Sequence, residues 1–258
     1  MLLRSPSDLN KKSSADSESL AEIRAFELSD LITHFAPKQP LSEFSEWHDE
    51  FVKISQANPE NRAIQESYSR ALKNATRMFG ERRAFADMLN ILDELEELYE
   101  ASQNEVVCEN LADSLSTAIM FMRGSWDTEG TSKFLNRLHL LVKRNPKNQT
   151  VVYYHARSYA SAINRFCSDR QNFICDRLLF EFRMFANKYR DLVDVQIEFA
   201  QALTNLIGTL ARDNRIHELN QILEELRRIS GRFPDNEKIQ LLITRANILS
   251  SLATNKND

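Results

Sequence analysis

The chain has 258 residues, of which 42% are hydrophobic, enough apolar material for one large domain with a continuous core. Only 5 glycines and 6 prolines leave too few turn and bulge residues for a sheet protein, so the composition favours helices. The 33 basic and 37 acidic residues are interspersed, and a net charge of −4 argues against the positive surface that dominates nucleic-acid affinity.

The N-terminal segment, residues 1–16, is rich in Ser, Asp, Lys and Asn, which predicts a disordered arm. It lacks the long apolar stretch and the small-residue cleavage site of a secretory signal. No apolar run in the sequence approaches the length of about 18 residues that a membrane span needs. We therefore expect a cytoplasmic protein that makes no contact with a membrane.

A turn motif then recurs along the chain at a constant interval. The sequence Asn-Pro-x-Asn at residues 58–61 returns at residues 145–148, and Phe-Pro-x-Asn follows at residues 233–236. Halving the interval places two weaker copies at Asn104 and near Asp191, so the repeating unit has about 44 residues. The proline ends one unit, and the second asparagine can cap the next helix by accepting a backbone N–H.

Each unit contains two helical patterns, recognised by apolar residues three and four positions apart. In the first helix a large apolar position is followed by a small one, which lets neighbouring helices approach closely. The large residues are Ile64, Val107, Val151, Val195 and Ile239, and the small ones are Ser69, Ala112, Ala156, Ala200 and Thr244. The second helices carry a three-residue ridge that predicts a buried seam: Leu92, Leu95, Leu98; Leu135, Leu138, Leu141; Leu179, Phe182, Phe185; and Leu223, Leu226, Ile229.

These patterns divide the chain into units of about 17–57, 58–101, 102–144, 145–189 and 190–232, followed by a terminal helix at 233–253 and a disordered tail at 254–258. The first unit is divergent, and its residues on the shared positions are Leu20, Leu28, Phe35, Trp47, Phe51 and Ile54. Each hairpin exposes an apolar face that only its neighbour can cover. The sequence therefore predicts a single all-α solenoid over residues 17–253, with about five and a half helix–turn–helix repeats.

The alternation of small and large residues in the first helices, the ridge in the second, and the proline that ends the unit at residues 228–236 resemble tetratricopeptide (TPR) repeats. The resemblance covers residues 17–253. It departs from that family in length, since the family unit has about 34 residues, and the longer period also lies in the range of HEAT and armadillo repeats. The resemblance implies a right-handed superhelix whose first helices line a concave groove for peptides or partner helices.

Within that implied groove, certain polar side chains of the first helices are candidates for holding a partner. They are Arg70, Asn74, Arg157, Gln201, Asn205 and Arg245. Arginine pairs with carboxylates through two hydrogen bonds and asparagine binds backbone amides, so we expect an acidic peptide or a C-terminal carboxylate there. Asp113 weakens a uniformly basic groove, and the alternative is that these are ordinary solvated side chains.

The terminal helix at 233–253 is apolar around almost its whole circumference, whereas a capping helix should be polar outside. Its candidate contact residues are Leu241, Leu242, Ile248, Leu249 and Leu252. We expect this helix to pair with a second copy of the chain or with another protein. The alternative is that the solenoid curls and covers it.

Signatures of catalysis are missing from the sequence, so we predict no catalytic, cofactor-binding or metal site. The glycines form no phosphate loop, and the five histidines form no cluster with metal-ligand spacing. Cys108, Cys167 and Cys175 form no C-x-x-C pair, and we expect them to be small buried residues, a reactive thiol being the alternative. We expect His155 to be a core histidine with its hydrogen bonds satisfied.

These observations predict a non-enzymatic scaffold or regulatory adaptor that binds a peptide or a partner helix and needs no cofactor. A homo-oligomer through the terminal helix is compatible with this function. The alternative, from another class, is a helical-repeat protein associated with nucleic acid through its arginines.

Overall fold

The computed structural model describes residues 6–38, 40–122 and 127–254, and within these ranges it leaves out the side chains of residues 6–17, 37, 127 and 252–254. The described residues form eleven α-helices and a short 3-10 helix (Ala36–Lys38), and they contain no strand. The helices are α1 (Pro6–His34), α2 (Leu41–Ala57), α3 (Arg62–Glu81), α4 (Phe85–Ser102), α5 (Glu105–Phe121), α6 (Asp127–Arg144), α7 (Gln149–Ser168), α8 (Asn172–Lys188), α9 (Val193–Arg212), α10 (Ile216–Arg232) and α11 (Glu237–Thr254). The prediction of an all-α helical-repeat arrangement is confirmed.

The chain forms two compact units, residues 1–122 and residues 123–258. The sequence predicts one domain over residues 17–253, and the division falls inside its third repeat, between α5 and α6. The apolar positions carry no sign of this division, because their spacing continues through it unchanged.

In the first unit α1, α3 and α5 lie side by side as one layer. Helix α2 contacts α1 and α3, and α4 contacts α3 and α5. The small residues Ser69 and Ala112 are fully buried in the layer, and Ala25 holds a similar place in α1. The amide of Asn110 on α5 donates a hydrogen bond of 2.8 Å to the hydroxyl of Ser69 on α3. Small side chains thus allow close helix contact, as the sequence predicts.

The second unit repeats this arrangement. Helices α7, α9 and α11 form one layer, and α6, α8 and α10 form the other. Helix α6 contacts α7, α8 contacts α7 and α9, and α10 contacts α9 and α11. The apolar residues Val151, Val195 and Ile239 that begin the first-type helices are buried. Phe182 and Leu226 of the predicted ridges are buried as well. Thr244, in contrast, is exposed, because no described helix follows α11 to cover the small position.

Asparagine caps begin the repeats as predicted. The side-chain oxygens of Asn61, Asn148 and Asn236 accept hydrogen bonds of 3.1, 3.0 and 3.1 Å from the backbone N–H three residues on. Asn104 accepts one of 2.9 Å from the N–H of Val106. Helix α9 lacks a side-chain cap, because Leu192 stands at that position.

We predict that replacing Asn148 with alanine lowers the free energy of unfolding by about 1 kcal/mol, because the first turn of α7 loses its side-chain acceptor. Urea denaturation followed by circular dichroism measures the change. Asn148→Asp, which keeps an acceptor oxygen, is the control and should stay near the wild type. An alanine variant as stable as the wild type contradicts the prediction.

The turns inside three of the repeats share one backbone conformation that the sequence does not reveal. Arg83, Arg170 and Asn214 have φ values of 59°, 58° and 54°, in the left-handed region. After each of them a backbone N–H bonds a carbonyl five residues earlier, at 2.9, 2.9 and 2.8 Å. This hydrogen bond ends α3, α7 and α9, and it is the pattern with which many helices terminate.

The N-terminal repeat differs most from expectation. Helix α1 begins at Pro6, so the structure has helical backbone over residues 6–16, where we predict a disordered arm; residues 1–5 lie outside the described residues. Proline is well suited to the first turn of a helix, where its missing N–H costs nothing. Leu28 and Phe51 are buried as predicted, but Leu20 and Phe35 are exposed, because no described helix precedes α1.

Two of the three cysteines form a disulfide, which corrects the expectation that all three are separate small residues. Cys167 at the end of α7 and Cys175 in α8 are bonded, with Cα atoms 5.7 Å apart. Their spacing in the sequence resembles no common motif, and the turn between α7 and α8 brings them together. Cys108 is a buried free thiol, and burial raises its pKa to about 11.

We predict that a thiol titration of the unfolded, unreduced protein finds one thiol per chain, that of Cys108, and that prior reduction raises the number to three. Mass spectrometry after alkylation identifies the sites. The variant Cys108→Ser should give no thiol before reduction. Alkylation of Cys167 or Cys175 in the unreduced protein contradicts the pairing.

Candidate functional site

The predicted groove residues of the second unit lie at equivalent positions on neighbouring helices. Arg157 on α7 is half-buried and has its guanidinium 6.0 Å from the centre of the Tyr154 ring. Gln201 on α9 donates a hydrogen bond of 2.9 Å to Asn205 one turn later, and Arg245 on α11 is exposed. The two amides that we expect to bind a peptide therefore already bind each other.

A carboxylate of the chain itself lies among these side chains. Burial raises the pKa of Glu198 on α9, while the charges of Arg157 and Lys238 and a hydrogen bond from Tyr153 oppose the rise. Arg157 thus already interacts with an acidic group. The charge of this face is mixed, which weakens the expectation of an acidic peptide.

The remaining groove residues belong to the first unit. Arg70 on α3 is exposed, and Asn74, one turn further on, is half-buried and donates a hydrogen bond of 2.6 Å to Thr33 on α1. Asn74 therefore links two helices of the fold.

The terminal helix α11 is less apolar outside than the sequence predicts. Leu241 and Ile248 are exposed, Leu249 is half-buried, and Leu242 is buried with 8% of its surface accessible. Leu242 is therefore not available to a partner, because α11 rotates this side toward α9 and α10. The exposed side also carries the polar residues Thr244, Arg245 and Asn247. The side chain of Leu252 lies outside the described residues.

An apolar opening in the second unit lies between the outer helices α6 and α8, over α7. We call it the α6–α8 groove. Within the described residues, no Cα atom of α6 comes within 8 Å of one in α8, so the two helices leave a space of about 770 Å³ between them. Its lining residues are Leu135, Asn136, His139, Val142 and Lys143 of α6, Tyr159 of α7, and Phe180, Glu181, Met184, Phe185 and Lys188 of α8.

The outer side of α8 exposes an apolar stripe at the edge of this groove. Phe180 and Met184, one turn apart, are 62% and 60% exposed, and Phe173 at the start of the helix is exposed on the same side. Exposed apolar residues that are grouped around a concave surface are typical of protein-binding sites. Methionine adds a flexible side chain that adapts to different partners.

Lysine side chains supply the net charge of the groove. Glu181 lies 3.6 Å from the guanidinium of Arg177 and is therefore neutralised within α8. Lys143 and Lys188 are exposed, and among the described residues neither has a carboxylate within the 4.0 Å of an ion pair. The ammonium of Lys188 lies 5.1 Å from the centre of the Tyr189 ring. The groove thus offers an apolar floor with two positive charges.

A buried histidine lies directly behind the groove. His155 on α7 is fully buried, and its ring centre is 4.8 Å from that of Tyr159 and 4.7 Å from that of Phe185, which both line the groove. Among the described residues, neither of its ring nitrogens has a hydrogen-bond partner. The predicted core position is therefore confirmed, but the predicted satisfaction of its hydrogen bonds is wrong. Burial, reinforced by His139, lowers the pKa of His155 to about 3.

Polar contacts bridge the gap between α8 and α10 and the gap between α2 and α4. Arg183 of α8 forms an ion pair of 2.8 Å with Glu225 of α10, and Arg215 pairs with Asp176 at 2.9 Å. In the first unit His48 of α2 lies 2.9 Å from Glu94 of α4. Between α6 and α8, a hydrogen bond of 3.5 Å joins Arg177 to Ser132. The α6–α8 groove is distinguished by its apolar lining.

A cluster of titratable side chains lies around Glu94 in the first unit. Tyr68 of α3 donates a short hydrogen bond to Glu94 and lies 3.4 Å from His48. Burial, followed by the charge of Glu94, raises the pKa of Tyr68 far above its usual range, so the phenol stays protonated. The cluster therefore joins α2, α3 and α4 through hydrogen bonds.

No protein-family model matches this chain. Comparisons with curated proteins and with solved structures find no match either. Within the described part of the chain, no three His, Cys, Asp or Glu side chains are grouped as metal ligands. None of the described helices has the length and apolar character to cross a membrane.

Three exposed apolar residues of α8 indicate the α6–α8 groove in the sequence, although they lie outside the repeating buried positions. Phe173, Phe180 and Met184 recur at intervals of seven and four residues, which places them on one side of α8. That side is distinct from the ridge with Phe182, which points into the core. A second apolar stripe on an outer helix is the feature that indicates a binding surface.

Proposed function

We propose that this protein is a non-enzymatic, TPR-like scaffold that binds a helical or extended segment of another polypeptide. The observation that carries the proposal is the α6–α8 groove, where Phe180 and Met184 stay exposed beside an apolar floor. Ordinary solvated surfaces do not collect such side chains around one concavity, because leaving them in water costs about 25 cal/mol for each Å² of apolar surface.

The expected occupant follows from the shape and charge of the groove. A volume of about 770 Å³ is within the range of about 300–1,000 Å³ that is typical of ligand-binding pockets. An amphipathic helix places apolar residues three and four positions apart, and such a row can contact Phe180, Met184 and the floor together. Lys143 and Lys188 favour a segment that carries carboxylates beside this row.

Photo-crosslinking in cells tests the proposal. We replace Phe180 with p-benzoylphenylalanine, which is close to it in shape, and use Asn220 on the exposed polar side of α10 as the matched control position. We expect a discrete cross-linked product from position 180 that weakens when Met184→Glu is added, and none from position 220. Absence of a product from position 180, or equal products from both positions, contradicts the proposed function.

A further inference from the structure

We propose that the α6–α8 groove of one copy binds helix α1 of a second copy of this chain. The inference rests on the proposed function, since it names the partner of the same groove. Both surfaces are exposed in the described structure of one chain, so each is open to contact with another molecule.

Helix α1 has the amphipathic face that the groove requires. Leu20, Ile23 and Phe26 are 67%, 55% and 53% exposed, although α1 buries its opposite face, with Leu28, against the first unit. Residues spaced by three positions form a ridge, and three of them span about 9 Å along the helix axis at a rise of 1.5 Å per residue. A ridge of this length presents two or three apolar side chains to a groove at once.

The charges beside the two surfaces are complementary. Glu27 and Asp30 are exposed next to the α1 ridge. Among the described side chains, Arg24 lies beside the ridge and is engaged by Glu50 at 2.7 Å and by Glu27 at 3.0 Å. Arg24, Glu27 and Glu50 together carry one negative charge, and the exposed Asp30 adds a second. The α1 ridge is therefore acidic, whereas the groove carries Lys143 and Lys188 without a carboxylate partner among the described residues. Opposite charges orient such a contact and select against other apolar surfaces.

This contact is heterologous, because one copy gives α1 and the other gives the groove. Two copies that each give α1 to the groove of the other form a closed dimer; otherwise association continues into a larger ring or an open chain. An isologous dimer, formed through α1 against α1 or through α11 against α11, stops at two copies. The two modes give different results when single surfaces are blocked.

The test uses two full-length variants, each blocked on one surface. Phe180→Glu with Met184→Glu blocks the groove, and Ile23→Glu with Phe26→Ser blocks α1; all four side chains are exposed, so the fold tolerates the changes. By sedimentation or light scattering at micromolar concentrations we expect the wild type to associate into dimers or larger species and each variant to be a monomer. An equimolar mixture of the two should form one complex of twice the 29.9 kDa chain mass, because an intact α1 then meets an intact groove.

A monomeric wild type, or a mixture that stays monomeric, overturns the inference. If only the α1 variant fails to associate, the contact is an isologous one of α1, and the inference is also overturned. If both variants still associate, the contact lies elsewhere, such as on α11, with the same consequence. Circular dichroism confirms that the variants are helical, and the milder pair Met184→Ser and Phe26→Ser repeats the test if either charged variant is not. If position 180 cross-links another protein in cells while the purified chain is monomeric, the proposed function stands and this inference fails.

Discussion

Replacing His155 with leucine should stabilise the protein at neutral pH by about 1–3 kcal/mol. The change removes two buried ring nitrogens that have no hydrogen-bond partner, and each such group carries a desolvation cost of that order. Leucine suits the site, because Leu111 occupies the equivalent position of α5 and is fully buried. Urea denaturation followed by circular dichroism at pH 7.5 measures the difference.

The same substitution should remove part of the sensitivity to acid. In the folded protein burial holds the pKa of His155 near 3, against 6.5 for an exposed histidine, so between these values the unfolded chain binds the extra proton. The free energy of unfolding is therefore unaffected by this difference in pKa above pH 6.5. Between pH 6.5 and pH 3 it falls with falling pH, by up to about 1.4 kcal/mol per pH unit. At pH 5 the leucine variant should gain roughly 2 kcal/mol more over the wild type than at pH 7.5.

The comparison isolates His155, because the other titrating groups are common to both proteins. His217 on α10 is exposed, so His217→Gln serves as the control and should keep the pH dependence of the wild type. If the leucine variant loses stability toward pH 5 as steeply as the wild type, His155 does not carry the effect.

Replacing Gly80 with alanine should destabilise the first unit by about 1–3 kcal/mol, although alanine favours helices over glycine by about 1 kcal/mol. Gly80 is buried in α3, and an added Cβ would lie 2.7 Å from the Cγ atom of Phe121 on α5. Because Cγ is bonded directly to the Cβ of Phe121, rotation of the ring about χ2 does not move it. Either the whole side chain of Phe121 or the two helices must therefore shift to accept the methyl group. Thermal and urea unfolding report the loss.

Gly208 in α9 provides a matched control, because an added Cβ there meets no atom within 4 Å. Gly208→Ala should stabilise by about 0.5–1 kcal/mol through helix propensity. In the background Phe121→Ala, Gly80→Ala should change from destabilising to neutral or stabilising. The same loss in both backgrounds would show that the clash with Phe121 is not its cause.

The repeat pattern predicted the helices well, because apolar spacing reports directly which side of a helix is buried. It also placed the caps of Asn61, Asn148 and Asn236, since this residue type satisfies the free N–H groups of a first turn. The left-handed turns at Arg83 and Arg170 gave no such signal. Arginine rarely adopts this conformation, and the helix ends impose it by forming their last hydrogen bonds.

The candidate sites were harder to predict than the helices, because exposure depends on how a helix is rotated against its neighbours. The apolar composition of α11 does not distinguish buried Leu242 from exposed Leu241, which are adjacent in sequence. The pairing of Cys167 with Cys175 depends likewise on a turn whose geometry no spacing rule describes. The amide side chains of Gln201 and Asn205 are suited to peptide binding, but in the structure they form a hydrogen bond with each other.

The ion pairs between outer helices bear on how the second unit deforms. Arg183 with Glu225, and Asp176 with Arg215, join α8 to α10 through partly exposed charges, whereas α7, α9 and α11 are joined by buried apolar side chains. Salt screens the exposed charges and leaves apolar contacts in place. The two layers of the second unit should therefore differ in stiffness. The layer of α7, α9 and α11 should stay stiff, whereas the contact between α8 and α10 should become easier to deform as the ionic strength rises.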